Sequence, residues 1–183
     1  MSSRHTDFTK NSLDQKNLFK DPFLQFEKWI KDYMESSEDE NLPMNLSTID
    51  LSGFPSSRIV FMRGYNPQGI IFFTNYDSNK GIELLKNNKA SLLFYWPELE
   101  RQLRVWGTVE KVEKDVSDNY FNERPKGSQA GAWISDQSRE IDSREHLEQM
   151  HKDFLEKSEN KIIPRPDFWG GFRIVPNRYE FWQ

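Results

Sequence analysis

Cysteine is absent from the 183-residue chain. Disulfides, thiolate nucleophiles and zinc sites built on sulfur are thereby excluded, and the chain suits a reducing compartment, so a cytoplasmic location is expected. No apolar run approaches the length of a membrane span, and the polar start MSSRHTDFTKNSLDQKN has no apolar stretch of the kind a signal peptide needs. A surplus of positive charge is missing too: 25 Lys and Arg against 29 Asp and Glu leave a formal net charge of −4. That sign argues against a surface built to grip nucleic acid or an anionic membrane, so any cation that matters must act locally. The phosphate loops G-x-G-x-x-G and G-x-x-x-x-G-K and the nucleophile elbow G-x-S-x-G do not occur. Only three His are present. His5 lies in the polar start, and His146 and His151 lack the spacing that puts two ring nitrogens on one helical face for zinc, so they read as surface residues.

What the chain does have is aromatic residues, 14% of the total with 14 Phe, 6 Trp and 6 Tyr. They hide much apolar area in few positions and offer flat surfaces to a ring-shaped ligand. Residues 1–20 read as a flexible tail and 21–183 as one domain without repeats or linkers. Asp21-Pro22 is a helix start, and Phe23, Phe26, Ile30 and Tyr33 give that helix one apolar stripe, followed by a solvated loop in SSEDEN. Strand patterns follow at 44–50, 56–63 and 69–75, separated by turns at Gly53–Pro55 and in GYNPQG. Ser78 caps a short helix through Leu85. Strands resume at 90–96 and 101–113, the second bending at Gly107. Asp115 is the expected cap of the next helix, and Asp142 with Glu145 has the capping-box spacing before REHLEQMHKDFLEK. The end reads as a hairpin of 168–175 and 178–182 turning at Pro176-Asn177. Short strands interrupted by a few helices make an α+β domain around a closed or nearly closed antiparallel barrel, Greek-key-like, with peripheral helices.

The candidate chemistry sits on strand ends. Arg58 and Arg63 fall on opposite faces of a regular strand, so either one of them points away from solvent or the strand ends or bulges before Arg63. In FFTNYDSNKG, Thr74, Ser78, Asn79 and Lys80 collect donors at a strand-to-helix junction, which suits a phosphate or is simply a helix cap. In YFNERPKGSQ, Tyr120, Arg124, Lys126 and Ser128 gather around a Pro-Gly turn, which suits a second phosphate or is a helix C-terminus decorated with cations. Gln137 and Ser138 add neutral donors in a loop after GAW. Two phosphate-suited clusters without a nucleophile point to a phosphorylated cofactor acting on a phosphorylated substrate.

These segments resemble the pyridoxamine 5′-phosphate oxidase family. The matching stretches are DPFLQFEKW, SSRIVFMRG, GIIFFTNYDSNKG, ASLLFYWPELERQLRVWG, YFNERPKGSQAGAWISDQS, PRPDFWGGFRIVP and EFWQ, in family order from residue 21 to residue 183. The resemblance implies an FMN-binding split barrel and a homodimer with FMN at the subunit interface. It implies FMN contacts from Arg58, Arg63, Phe73, Thr74, Asn79, Lys80, Gln102, Gln137, Ser138 and Trp182, some donated across the dimer, with Arg58 and Lys80 at the FMN phosphate. Arg63, Tyr120, Arg124 and Ser128 match positions that hold the substrate phosphate. The implied reaction is oxidation of pyridoxamine or pyridoxine 5′-phosphate to pyridoxal 5′-phosphate. The flavin serves as electron sink and O2 as final acceptor, giving H2O2 and, from the amine, NH3. No catalytic side chain, metal, nucleic acid or membrane is implied.

Three positions depart from the family pattern. Arg63 stands where Lys is usual, Asn79 stands where a second Arg is common beside Lys80, and the chain stops at Gln183 where family members continue into a segment containing R-L-H-D-R. The expectation is a longer native protein. The alternatives are a shortened homologue that binds FMN or pyridoxal phosphate without efficient oxidation, or an NAD(P)H-dependent flavin reductase.

Overall fold

The computed structural model describes residues 9–10, 12–37 and 41–183. His5, the rest of 1–8, residue 11, and 38–40 of the expected loop lie outside the described residues. Within the expected tail, a single 3-10 turn, Gln15–Asn17, is capped by Asp14, and the Lys10 ammonium donates to the Glu98 carbonyl at 2.7 Å.

Helix α1, Pro22–Ser36, starts as anticipated: the Asp21 carboxylate accepts from the Phe23 N–H at 2.8 Å, and proline fills the first turn. Its stripe buries Phe26, Trp29 and Ile30. Seven strands follow: β1 (Leu42–Ile49), β2 (Pro55–Met62), β3 (Gly64–Asn66), β4 (Gly69–Asn75), β5 (Lys89–Trp96), β6 (Arg101–Lys111) and β7 (Trp169–Trp182). They form one antiparallel sheet in the order β2-β1-β5-β6-β7-β4-β3. The sheet curls on itself, so that the Arg63 N–H at the end of β2 donates to the Ile71 carbonyl of β4 at 2.8 Å. Beyond that bond β2 and β4 share no ladder among the described residues, and a split opens between them. Period-two burial along β5 and β6 points Leu92, Phe94, Leu103 and Val105 inward, where α1 meets them. Phe26 packs edge-on to Phe94 and Tyr65, and Trp29 edge-on to Trp96 and Phe181. Fully burying one such ring contributes about 1.5–3 kcal/mol.

The remaining helices are α2 (Asn79–Lys86), α3 (Lys114–Glu123), α4 (Lys126–Ile134) and α5 (Arg144–Lys157). Phe121 of α3 and Ala132 of α4 join Ile163 and Trp169 in a second cluster beside the split. Six expectations need correction. Helix α3 starts two residues earlier, with Glu113 at the cap position, so Asp115 sits in its first turn, where a carboxylate favours the positive helix end. Ser143, not Asp142, caps α5, its hydroxyl accepting from the His146 N–H at 3.0 Å. Residues 126–134 form a helix rather than a loop: Pro125 precedes its first turn, and Gln129, Ala130 and Ala132 are buried. The final hairpin is one long strand. Gly107 faces Pro176 and Trp106 faces Arg178, so Asn177 is an extra residue in a bulge that accommodates a proline lacking an N–H. GYNPQG likewise turns only at Pro67-Gln68, its first residues forming β3. His146 is exposed, whereas His151 is half-buried, its Nε2 lying 2.8 Å from the Gly127 carbonyl and tying α5 to α4.

Candidate active site

A cavity of about 600 Å³ occupies the split. One wall is β2, with Ile59, Val60 and Phe61; the opposite wall is β4, with Phe73 and Thr74. Helix α2 contributes Lys80, the end of α3 contributes Tyr120 and Arg124, α4 contributes Ser128, and the loop after α4 contributes Gln137. Two sequence clusters some forty residues apart thus face one space.

Lys80 enters because Ser78 ends the preceding turn and caps α2, its fully buried hydroxyl accepting from the Gly81 N–H. The Lys80 ammonium donates to the Gln137 side-chain carbonyl at 2.7 Å, to the Ser78 hydroxyl at 3.0 Å and to the Thr74 hydroxyl at 3.2 Å. Burial, assisted by the nearby Arg58 charge and opposed by Glu83, pulls its pKa down to about 8. Arg58 itself turns away from the cavity. One terminal nitrogen donates to the Leu46 carbonyl and the Thr48 hydroxyl, and the other to the Ser56 hydroxyl and, at 2.9 Å, the Glu83 carboxylate. Glu83 is buried and also accepts from Thr48 at 2.5 Å. The structure therefore keeps Arg58 as a fixed charge behind Lys80.

The parity question over Arg58 and Arg63 is answered by the strand ending: β2 stops at Met62, and Arg63 reaches the cavity from the joint with β3. Its guanidinium lies 5.0 Å from the Phe61 ring and donates to Asn41 at 3.2 Å. Arg124, immediately after α3, lies 4.5 Å above the Trp169 ring. One of its terminal nitrogens is buried without a hydrogen-bond partner. Burial lowers its pKa, the Tyr120 phenol opposes that, and Arg63 adds to it. Two like charges sharing a cavity, one with an unpaired N–H, make an anion-binding wall. Lys126, by contrast, turns to the Glu159 carbonyl.

Between the cations lie three rings within 15° of parallel. Phe73 and Tyr120 stack at 3.9 Å, Phe73 and Trp169 at 5.6 Å, and Tyr120 and Trp169 at 6.2 Å. Phe73 lies flat because its cross-strand neighbour is Gly171, where an added Cβ would come within 2.9 Å of the ring. Trp169 is a wall residue that local reading missed; the signal was a bulky ring followed by two glycines at a strand start, FWGG.

Besides Arg58, four residues expected at FMN do not line this cavity. Asn79 accepts from Arg139 at 3.0 Å and borders a neighbouring hollow with Ser56 and Glu83. Ser138 has a left-handed backbone, φ +70°, and its carbonyl accepts from Arg139. Gln102 and Trp182 are cross-strand partners on β6 and β7 and do not line the cavity.

A sequence profile described as pyridoxamine 5′-phosphate oxidase matches residues 30–156. The chain belongs to the pyridoxamine 5′-phosphate oxidase family. Similar proteins include the pyridoxine/pyridoxamine 5′-phosphate oxidase of Nostoc sp. strain PCC 7120, 46% identical over 177 residues, 97% of this chain and 83% of the relative. That of Burkholderia mallei is 47% identical over 184 residues, covering 100% of this chain and 85% of the relative. Among solved structures, PhzG from Burkholderia lata 383, in complex with tetrahydrophenazine-1-carboxylic acid, superposes with a TM-score of 0.86. It is 28% identical and covers 94% of this chain and 85% of its own. An FMN-binding protein related to pyridoxamine 5′-phosphate oxidase from Nostoc punctiforme, 15% identical, shares the fold at a TM-score of 0.69, over 90% of this chain and 86% of its own. The curled half-barrel is thus the split barrel of this family, and the chain is one of its oxidoreductases.

Proposed function

We propose that this chain oxidises pyridoxamine 5′-phosphate and pyridoxine 5′-phosphate to pyridoxal 5′-phosphate, as a cytoplasmic, FMN-dependent homodimer of vitamin B6 metabolism. For the amine the balance is one O2 and one water consumed, one NH3 and one H2O2 released. The observation that carries the reading is one cavity with a cation on each side and flat rings between them: Lys80 on one side, Arg63 and Arg124 on the other. Two phosphates can be held apart while two planar ring systems stack, and positioning is then the protein's main task.

The residues fit FMN and a phosphorylated substrate. Lys80, with Thr74 and Gln137 already on its ammonium, forms a donor set for one phosphate, and the fixed charge of Arg58 stands behind it. The unpaired Arg124 N–H, with the Tyr120 and Ser128 hydroxyls, forms the donor set for the other. FMN, when bound, supplies the two-electron acceptor that no side chain here provides.

A second copy supports the remaining contacts. Tyr95 pairs with Gln102, and Gln102 with Trp182, so these three residues form a row across the outer sheet face. Within it Tyr95 is 60% exposed and Trp182 44%. Docking this row on a partner would bring Gln102 and Trp182 to the other subunit's cavity.

The test is direct. Purified protein should bind FMN and turn yellow. It should convert pyridoxamine 5′-phosphate to an aldehyde-absorbing product with stoichiometric H2O2. FMN-loaded protein that yields neither product would refute the reading.

A further inference from the structure

We propose that Trp169 is the positioning residue that lets this site discriminate a phosphorylated substrate from its dephosphorylated form, by holding Arg124 and Tyr120 in the orientation that receives the phosphate. The proposal rests on the reading above, in which Arg124 meets the substrate phosphate.

Arg124 has an unusual environment for a half-buried cation. It has no acidic partner among the described residues, and its guanidinium lies over two ring faces, Trp169 at 4.5 Å and Phe121 at 5.6 Å. Without a carboxylate to fix it, a long guanidinium chain samples many rotamers, and about 2 kcal/mol of side-chain entropy opposes any single placement. A ring face attracts it through the quadrupole and leaves its N–H edges pointing outward. One of those nitrogens is the buried, unpaired one. A lysine could not use the surface in this way, because its ammonium has no plane to stack.

Trp169 also orders Tyr120. Their rings are within 4° of parallel, and Phe73 lies against both. The main chain that carries the indole is itself fixed from behind. The Trp169 main-chain N–H donates to the Pro166 carbonyl at 3.0 Å, and the Trp169 main-chain carbonyl accepts from Arg165 at 2.5 Å. The same guanidinium binds Asp118 on α3 at 2.6 Å. Asp118 lies two residues before Tyr120, so one buried side chain locks the helix bearing Tyr120 and Arg124 to the strand bearing Trp169. Gly170 and Gly171, which follow, leave room for Tyr76 and Phe73 to approach this strand, and Phe73 lies against the indole. Each contact ends at the wall facing the second cation group, and none reaches Lys80.

A residue that acts through the phosphate wall alone has a distinctive signature. Replacement should weaken a substrate-site ligand that carries the phosphate more than its phosphate-free counterpart. The FMN-loaded protein is titrated by calorimetry with pyridoxal 5′-phosphate and with pyridoxal, and the KM and kcat for pyridoxamine 5′-phosphate are measured alongside. FMN affinity is read separately from flavin fluorescence. Trp169→Leu should raise the dissociation constant for pyridoxal 5′-phosphate, and the KM, about three- to thirtyfold, the range a partly desolvated cation–π contact spans. Pyridoxal affinity should fall by a smaller factor, because the indole also walls the cavity, and the ratio of the two losses is the readout. Trp169→Phe, which keeps a ring face, should recover part of the loss and serves if the leucine variant does not fold. In an Arg124→Ala background either substitution should add little. Equal weakening of pyridoxal and pyridoxal 5′-phosphate, no weakening of either, or full additivity with Arg124→Ala would overturn the proposal. An Arg124→Ala protein with unchanged affinity for pyridoxal 5′-phosphate would instead remove the phosphate reading beneath it.

Discussion

The depressed Lys80 pKa makes anion binding at the α2 end of the cavity dependent on pH in a calculable way. With a pKa of about 8, the side chain is roughly nine-tenths protonated at pH 7 and roughly one-tenth at pH 9. An anion binds the ammonium form, so binding above pH 8 must take up a proton, and affinity should fall about tenfold per unit. The fall ends when the whole charge-assisted contribution, about 1.5–3 kcal/mol or one to two powers of ten, has been lost. FMN titrated by fluorescence quenching should therefore show a flat dissociation constant from pH 6.5 to 7.5, a rise above 8 and a plateau near 10. Folding stability of the FMN-free protein has the opposite sign. Because the folded pKa lies below the ordinary 10.5, the unfolded chain binds more protons between pH 8 and 10.5, so this group's contribution to stability increases with pH across that window. Lys80→Arg keeps a charge that does not titrate here and should abolish the step in FMN affinity. A flat profile from pH 7 to 9 in the unaltered protein, or an unchanged step in Lys80→Arg, would refute the reasoning.

Glu83→Ala should destabilise the fold by about 3 kcal/mol in urea titration, because it removes the buried carboxylate that pairs the Arg58 guanidinium and accepts from the Thr48 hydroxyl, while Glu83→Gln, which keeps an acceptor, should cost less. Trp29→Ala removes a ring held edge-on by Trp96 and Phe181 and should cost about 3–5 kcal/mol by the same measurement, with no pH dependence. Tyr95→Glu places a charge in the exposed row beside Gln102. It should convert a dimer to a monomer in size-exclusion chromatography with multi-angle light scattering and weaken FMN binding in parallel; an unchanged mass would exclude this face as the interface.

Local pattern served best where a residue's own backbone decides the outcome. Asp21-Pro22 and Ser78 cap their helices as read, and residues 69–75 form β4 over the full span. It served worst where a distant partner overrides the local signal. Pro176-Asn177 carries turn residues, yet β6 pairs across it and turns a would-be hairpin into a bulged strand. KGSQAGAWI contains two glycines, yet it is helical because Gln129, Ala130 and Ala132 find buried partners beside α3 and α5.

For the site, the sequence by itself determined the inventory: two groups of cations and hydroxyls, no nucleophile, no thiol, and a string of motifs that marks one family. Residue types and their order are covalent facts, and they suffice for that. Only the tertiary structure decided that both groups open into the same cavity, because the curl of the sheet brings β2 beside β4. It likewise decided which cations face that cavity. Arg63 faces it because its strand stops one residue early, and Arg58 does not because a glutamate from α2 claims its guanidinium. Trp169 became visible as part of the wall only when rings from β4, α3 and β7 were seen stacked in register. Side-chain direction and ring stacking depend on the packing of segments far apart in the chain, and no local spacing rule encodes them.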